Sequence, residues 1–156
     1  MDFLRRYYRR MFRKIIHKDI PTFIGGSTLG GRIASEAALW LQKNSLIDGV
    51  IALGFQFYPK GWDNKIGIYH NHFKDIKVPF LIIQGERDIY GEFANVSQLK
   101  SSFPDNVFLY WIKDGDDLLK SRTIINVLPH ENWEKAVEIM ILFICKTKSI
   151  PLIPII

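Results

Sequence analysis

Between Ile24 and Arg32 the chain reads IGGSTLGGR, an apolar run that breaks on glycines flanking two neighbouring hydroxyls, Ser27 and Thr28. A sharp strand-to-helix turn that presents a nucleophile needs this composition, because the tip backbone is strained and its close neighbours cannot carry side chains. Either hydroxyl could stand at the tip on composition alone. Further along come two acidic stretches, Gln84-Gly-Glu-Arg-Asp88 and Lys113-Asp-Gly-Asp-Asp-Leu118. A hydroxyl, then an acid, then a group after the last strand is the chain order of one widespread nucleophile, acid and base arrangement.

Those residues must be carried by ordered elements, and the hydrophobic pattern supplies them. Pro21–Ile24 predicts a short strand, Arg32–Lys43 a helix with Ile33, Ala37 and Leu41 on one stripe, and Asp48–Gly54 a second strand. A long loop through Tyr58-Pro-Lys-Gly-Trp62 leads to a third strand at Val78–Gln84, a helix from Glu92 to Ser101 and a fourth strand at Asn106–Ile112. A last helix runs from about Glu131 to around Phe143, and the apolar run Ile139–Cys145 reads as a buried helix end. Strands that are continuous apolar runs and alternate with helices imply a parallel sheet covered on both faces, with its sites at the carboxyl ends of the strands.

The charge is concentrated. Of a formal net charge of +5 over 156 residues, residues 1–20 hold seven basic residues against Asp2 and Asp19, and the remainder balances at 14 of each sign. There the apolar pairs Phe3/Leu4, Tyr7/Tyr8, Met11/Phe12 and Ile15/Ile16 recur every four residues with arginines between, which predicts an amphipathic helix over 1–18. The plain expectation is a packed surface helix with solvated arginines. Attachment to an anionic membrane, contact with nucleic acid and a transit-like segment are the other uses of such a pattern. There is no secretory h-region and no run of about 18 apolar residues for a transmembrane span. The single cysteine, Cys145, sits in an apolar run as expected of a packed thiol in a reducing, cytoplasmic setting. Residues 150–156, apolar with two prolines, predict an extended tail.

GGSTLGGRIASEAA, GFQFYPKG, HFKDIKVPFLIIQGERD and WIKDGDDLLKSR together resemble the dienelactone-hydrolase-related α/β-hydrolases, and most closely the group with the testis-expressed hydrolase-like proteins and the NSL-complex regulatory subunit. The resemblance runs from Pro21 to Arg122. It implies a partial α/β-hydrolase fold, α/β with about four parallel strands and helices on both faces, in one domain over residues 1–156. It further implies hydrolysis of carboxylic esters, thioesters or lactones through an acyl-enzyme, with a small-molecule ester as substrate and no cofactor. The nucleophile position is Thr28, the oxyanion amide that of Leu29 and the acid Asp88.

Three departures from the family pattern qualify that activity. With Ser27 at the tip, Leu29 falls where the trailing glycine belongs; with Thr28 there, Gly26, Gly30, Gly31 and Arg32 fall into step. A β-branched tip is strained, so a slipped turn presenting Ser27 is the alternative. Against D-G-D-H-D-L, this chain has Asp117 at the histidine position. A carboxyl with an ordinary pKa of about 3.9 cannot serve as an imidazole with one of about 6.5, and beside Asp88 it adds like-charge repulsion. His130 follows, but Pro129-His130-Glu131-Asn132 reads as a helix start. Finally, a single helix precedes Pro21 where the fold normally has several strands, which leaves Leu29 without a second oxyanion donor, a loss of about 10²–10³ in rate. The Pro21–Ile24 strand then becomes an open edge that invites self-association or a protein partner.

The expectation is therefore a hydrolase with a degenerate triad and weak or no activity, or else a non-catalytic scaffold derived from one. His70-Asn71-His72 has metal-like spacing without a third ligand nearby and reads as packing, so no metal is expected. Asp114, Asp116 and Asp117 lack the EF-hand pattern and read as a solvated loop. The turn lacks the lysine of a phosphate-binding loop. Trp40, Trp62, Trp111 and Trp133 are scattered in core-like contexts, so no nucleic-acid platform is expected.

Overall fold

The computed structural model describes residues 2–15, 20–61, 69–122 and 131–151. Its elements run α1 (Asp2–Ile15), β1 (Phe23–Ser27), α2 (Leu29–Leu41), β2 (Gly49–Leu53), β3 (Phe80–Gly85), α3 (Phe93–Leu99), β4 (Val107–Ile112) and α4 (Glu131–Lys148). The four strands form one parallel sheet in the order β1-β2-β3-β4. This is the expected α/β architecture, with helices on both faces.

The apolar runs explain the layering. Alternate residues of a strand face opposite sides. Val50, Ala52, Phe80, Ile82 and Val107 face a core shared with α2 and α3, whereas Ile51, Leu81, Ile83 and Ile112 face α4 through Ala136 and Ile139. On α2 the buried face is Ile33, Ala34, Ala37, Ala38 and Leu41, and its alanines let the helix lie close to the sheet. β4 lies at an edge, and on its α4 side Phe108 and Tyr110 remain exposed. A cavity of about 520 Å³ opens there, lined by Leu81, Phe108, Tyr110, Ile139, Leu142 and Phe143 among others.

Element boundaries differ from the sequence expectation where glycines lie. β1 is displaced towards the turn and contains Gly25 and Gly26, because pairing with β2 sets Gly25 opposite Ile51 and Gly26 opposite Ala52. A side chain at Gly25 would meet the Ile51 carbonyl at 2.3 Å. α2 starts at Leu29 instead of Arg32, since Gly31 packs so close to Ala52 and the Gly26 carbonyl that a Cβ would approach both to 2.9 Å. The last helix extends beyond Phe143 to Lys148, whose ammonium pairs with Asp48 below β2. Its Ile139–Cys145 stretch is not a buried end: Ile141 and Leu142 are exposed and Cys145 is half-buried. Trp133 is likewise exposed, whereas Trp40 and Trp111 are half-buried against the core. Trp62 and residues 152–156 of the tail lie outside the described residues.

Candidate active site

The residue between β1 and α2 is Thr28. Its backbone has φ 50° and ψ −117°, a left-handed conformation that a β-branched residue rarely adopts, and its amide donates to the Leu53 carbonyl at 2.9 Å. Ser27 is still in the strand, paired with Leu53, so the turn has not slipped. The flanking glycines do unequal work. A Cβ on Gly26 would lie 2.6 Å from the Gly30 carbonyl carbon, so Gly26 is sterically required. Gly30, expected to be equally constrained, has open space where its side chain would be, and the second tight position is Gly31. Leu29 begins α2, and its amide therefore has no intrahelical carbonyl to bond. Strain of this kind costs about 1–3 kcal/mol, against about 0.5–1 for the extra freedom of an unfolded glycine. Thr28→Gly is accordingly expected to stabilise the fold by about 1 kcal/mol, read as a higher urea midpoint; a lower midpoint would mean that the threonine side chain holds the turn.

Asp88 follows β3 and is fully buried. Its Oδ2 accepts from Gln84 Nε2 at 2.6 Å and its Oδ1 from the Tyr90 amide at 2.8 Å. Burial pushes the carboxyl up to about 7; the Tyr90 amide opposes this, and the charges of Asp117 and Asp116 add to it. Gln84 is the residue that sequence reading passed over. Fully buried at the end of β3, it also accepts from the Phe55 amide at 2.7 Å and donates to the Phe55 and Gly91 carbonyls, so it ties the acid to the loop after β2. The GFQFYPKG and QGERD stretches held the signal, a glutamine four residues before an acid at a strand end.

Asp117 reaches the same place from the loop after β4. The convergence point is the end of β2: Leu53 bonds Thr28, and the next residue, Gly54, has φ 62° and lies beneath both acids. A Cβ there would be 2.4 Å from the Asp117 carbonyl oxygen and 3.3 Å from Asp88 Oδ2. Only glycine fits. The structure thus brings Thr28, Leu29, Asp88 and Asp117 around one strand end. His130 lies outside the described residues.

The other candidates have different uses. His72 Nε2 meets the Ser35 hydroxyl at 2.8 Å, and Ser35 donates to the Arg32 carbonyl at 2.7 Å, a buried link between α2 and the loop before β3. The acidic loop is not merely solvated. Asp114 pairs with Arg87 and Arg122, and the Arg122 amide first of all, helped by these two guanidiniums, holds its carboxyl below the usual range. Asp116 Oδ1 accepts the amides of Leu118 and Lys120 at 2.9 Å each. Among the described residues no three metal-ligating side chains cluster.

Residues 1–145 match the α/β-hydrolase domain family, and the chain belongs to it. No curated protein matches the chain. Among solved structures it is similar to a monoacylglycerol lipase of Paleococcus ferrophilus, at TM-score 0.62 and 14% identity over 90% of this chain and 73% of that one. It is also similar to Est1E of Butyrivibrio proteoclasticus, at TM-score 0.58 and 13% identity over 83% and 62% of the two chains. An esterase of Pyrococcus furiosus aligns at TM-score 0.52 and 16% identity, over 80% of this chain and 52% of that one. At such identities these likenesses speak to the fold.

Proposed function

We propose that this domain descends from hydrolases of carboxylic esters, thioesters or lactones and retains their scaffold with a degenerate triad and weak or no turnover. Thr28 occupies the nucleophile position, the Leu29 amide the oxyanion position and Asp88 the acid. The observation that carries this reading is Asp117: the loop that brings its backbone carbonyl to Gly54, beside Asp88 Oδ2, carries an acid and not an imidazole, and the charge of that acid adds to the raising of Asp88. A carboxylate there can take up a hydroxyl proton only weakly, and it raises Asp88 where a histidine would lower it. The esterase and lipase neighbours support the reaction class, and the motif resemblance supports the dienelactone-hydrolase-related grouping. In a reducing compartment such as the cytoplasm, the lone Cys145 would stay a thiol.

The test is a fluorophosphonate probe followed by peptide mass mapping, with a complete serine hydrolase as control. Expected is slow, substoichiometric labelling on Thr28, lost in Thr28→Ala. Esterase activity that survives Thr28→Ala and Ser27→Ala together would overturn the assignment.

A second reading, a non-catalytic interaction module, has its own observation. Among the described residues β1 pairs only with β2, Gly25 is exposed, and a hollow of about 230 Å³ lined by Gly25, Gly26, Ile51, Leu53 and Met140 adjoins it. An open strand beside an apolar hollow suits another strand from a partner or a second copy.

A further inference from the structure

α1 carries an apolar ridge that the fold does not use. Phe3, Tyr7, Met11 and Ile15 are 77%, 54%, 40% and 61% exposed, although their spacing of four makes them neighbours along one stripe. The stripe is about 18 Å long at 1.5 Å per residue. Phe3 and Tyr7 stack with ring centroids 6.4 Å apart, so the ridge is pre-assembled. It is not the packing face. α1 rests on α2, and among its described side chains Phe12 packs against the core.

Beside the ridge runs a second exposed row with the same spacing, Arg6, Arg10 and Lys14. Each follows its ridge residue by three positions, so the two rows lie side by side on the helix. The rest of the chain beyond residue 20 is electrically balanced, and the whole net charge of +5 is carried at this end. An apolar row with a cationic row along its flank is complementary to a surface that offers acyl chains below and negative charge above. Nucleic acid satisfies only the second row and would leave Phe3, Met11 and Ile15 in water.

We infer that α1 docks this domain on the surface of bilayers containing anionic phospholipid, with Phe3, Tyr7, Met11 and Ile15 at the acyl boundary and Arg6, Arg10 and Lys14 among the headgroups. The helix lies in the interface and does not cross it; among the described residues no helix is long and apolar enough to span a membrane. Each basic residue at an anionic surface is worth about fivefold in partitioning. Both rows are needed, because a single kind of contact gives marginal and reversible attachment.

The experiment is flotation of the full chain with vesicles of phosphatidylcholine alone or of phosphatidylcholine with about one third phosphatidylserine, at low and high salt. Three proteins are compared: wild type, the ridge variant (Phe3→Ser, Tyr7→Ser, Met11→Ser) and the flank variant (Arg6→Ser, Arg10→Ser, Lys14→Ser). All the altered side chains are exposed, so an unchanged thermal melt serves as the folding control. Expected is binding to the anionic vesicles at least tenfold stronger than to the neutral ones, lost by at least tenfold in each variant. Equal binding to both vesicle types, or no binding to either, overturns the proposal. So does a ridge variant that still floats, or wild type that prefers duplex DNA to vesicles. A dimer that the ridge variant abolishes, without flotation of wild type, assigns the ridge to a second copy and likewise overturns it.

Discussion

Asp117→His combined with Thr28→Ser is expected to raise hydrolysis of a small ester such as p-nitrophenyl acetate by about 10²–10⁴ in kcat/KM, the usual contribution of a positioned general base. The geometry is already prepared for it. Thr28 hangs from the Leu53 carbonyl, and Gly54, the next residue, lies beneath Asp117 and Asp88. The backbone carbonyl of residue 117 lies at Gly54 beside Asp88 Oδ2, so a histidine there is expected to have its imidazolium stabilised by the Asp88 carboxyl, and serine removes the methyl group of a β-branched tip. Asp88 itself should change: exchanging an anionic neighbour for a cationic one lowers its pKa from about 7 towards the ordinary carboxylate range. Adding Asp88→Asn to the double variant should abolish most of the gain. A folded double variant without any gain would show that the missing base is not the main reason for low turnover. A gain that ignores Asp88→Asn would separate the acid from the site.

Asp88 should also govern stability against pH. Its carboxyl titrates near 7 in the fold and near 3.8 when unfolded. Between these values the folded chain holds a proton that the unfolded chain has released, so stability falls as pH rises. The contribution is complete below 3.8 and gone above about 7, a span worth about 4 kcal/mol at most. Asp88→Asn removes that slope. It also sacrifices a hydrogen bond, because an amide nitrogen in place of Oδ2 cannot accept from Gln84, at a cost of about 1 kcal/mol. The variant should therefore be about 1 kcal/mol less stable at pH 4 and about 2 kcal/mol more stable at pH 8. Urea denaturation of both proteins at pH 4, 6 and 8 reads this reversal of sign directly. Parallel pH profiles would mean that Asp88 is charged in the fold throughout.

The sequence by itself determined the four strands and the helices between them, because apolar runs and periodic stripes are local properties that tolerate any partner of the right kind. It also determined the order of hydroxyl and acids along the chain and the basic amphipathic character of residues 2–15. The tip residue followed from glycine spacing, and Thr28 does occupy the turn. Only the tertiary structure decided how the glycines are used: Gly25 and Gly26 read as a break, yet pairing with β2 draws them into a strand, and Gly31 rather than Gly30 makes the close contact. It alone decided that Gln84 clamps Asp88 and that burial dominates the acid's titration, since desolvation belongs to the surroundings and not to the residue. It also split the greasy half of α1, turning Phe12 to the core and leaving Phe3, Tyr7, Met11 and Ile15 exposed. Periodicity tells which side chains share a helix face; only the neighbouring helix determines how much of that face it covers.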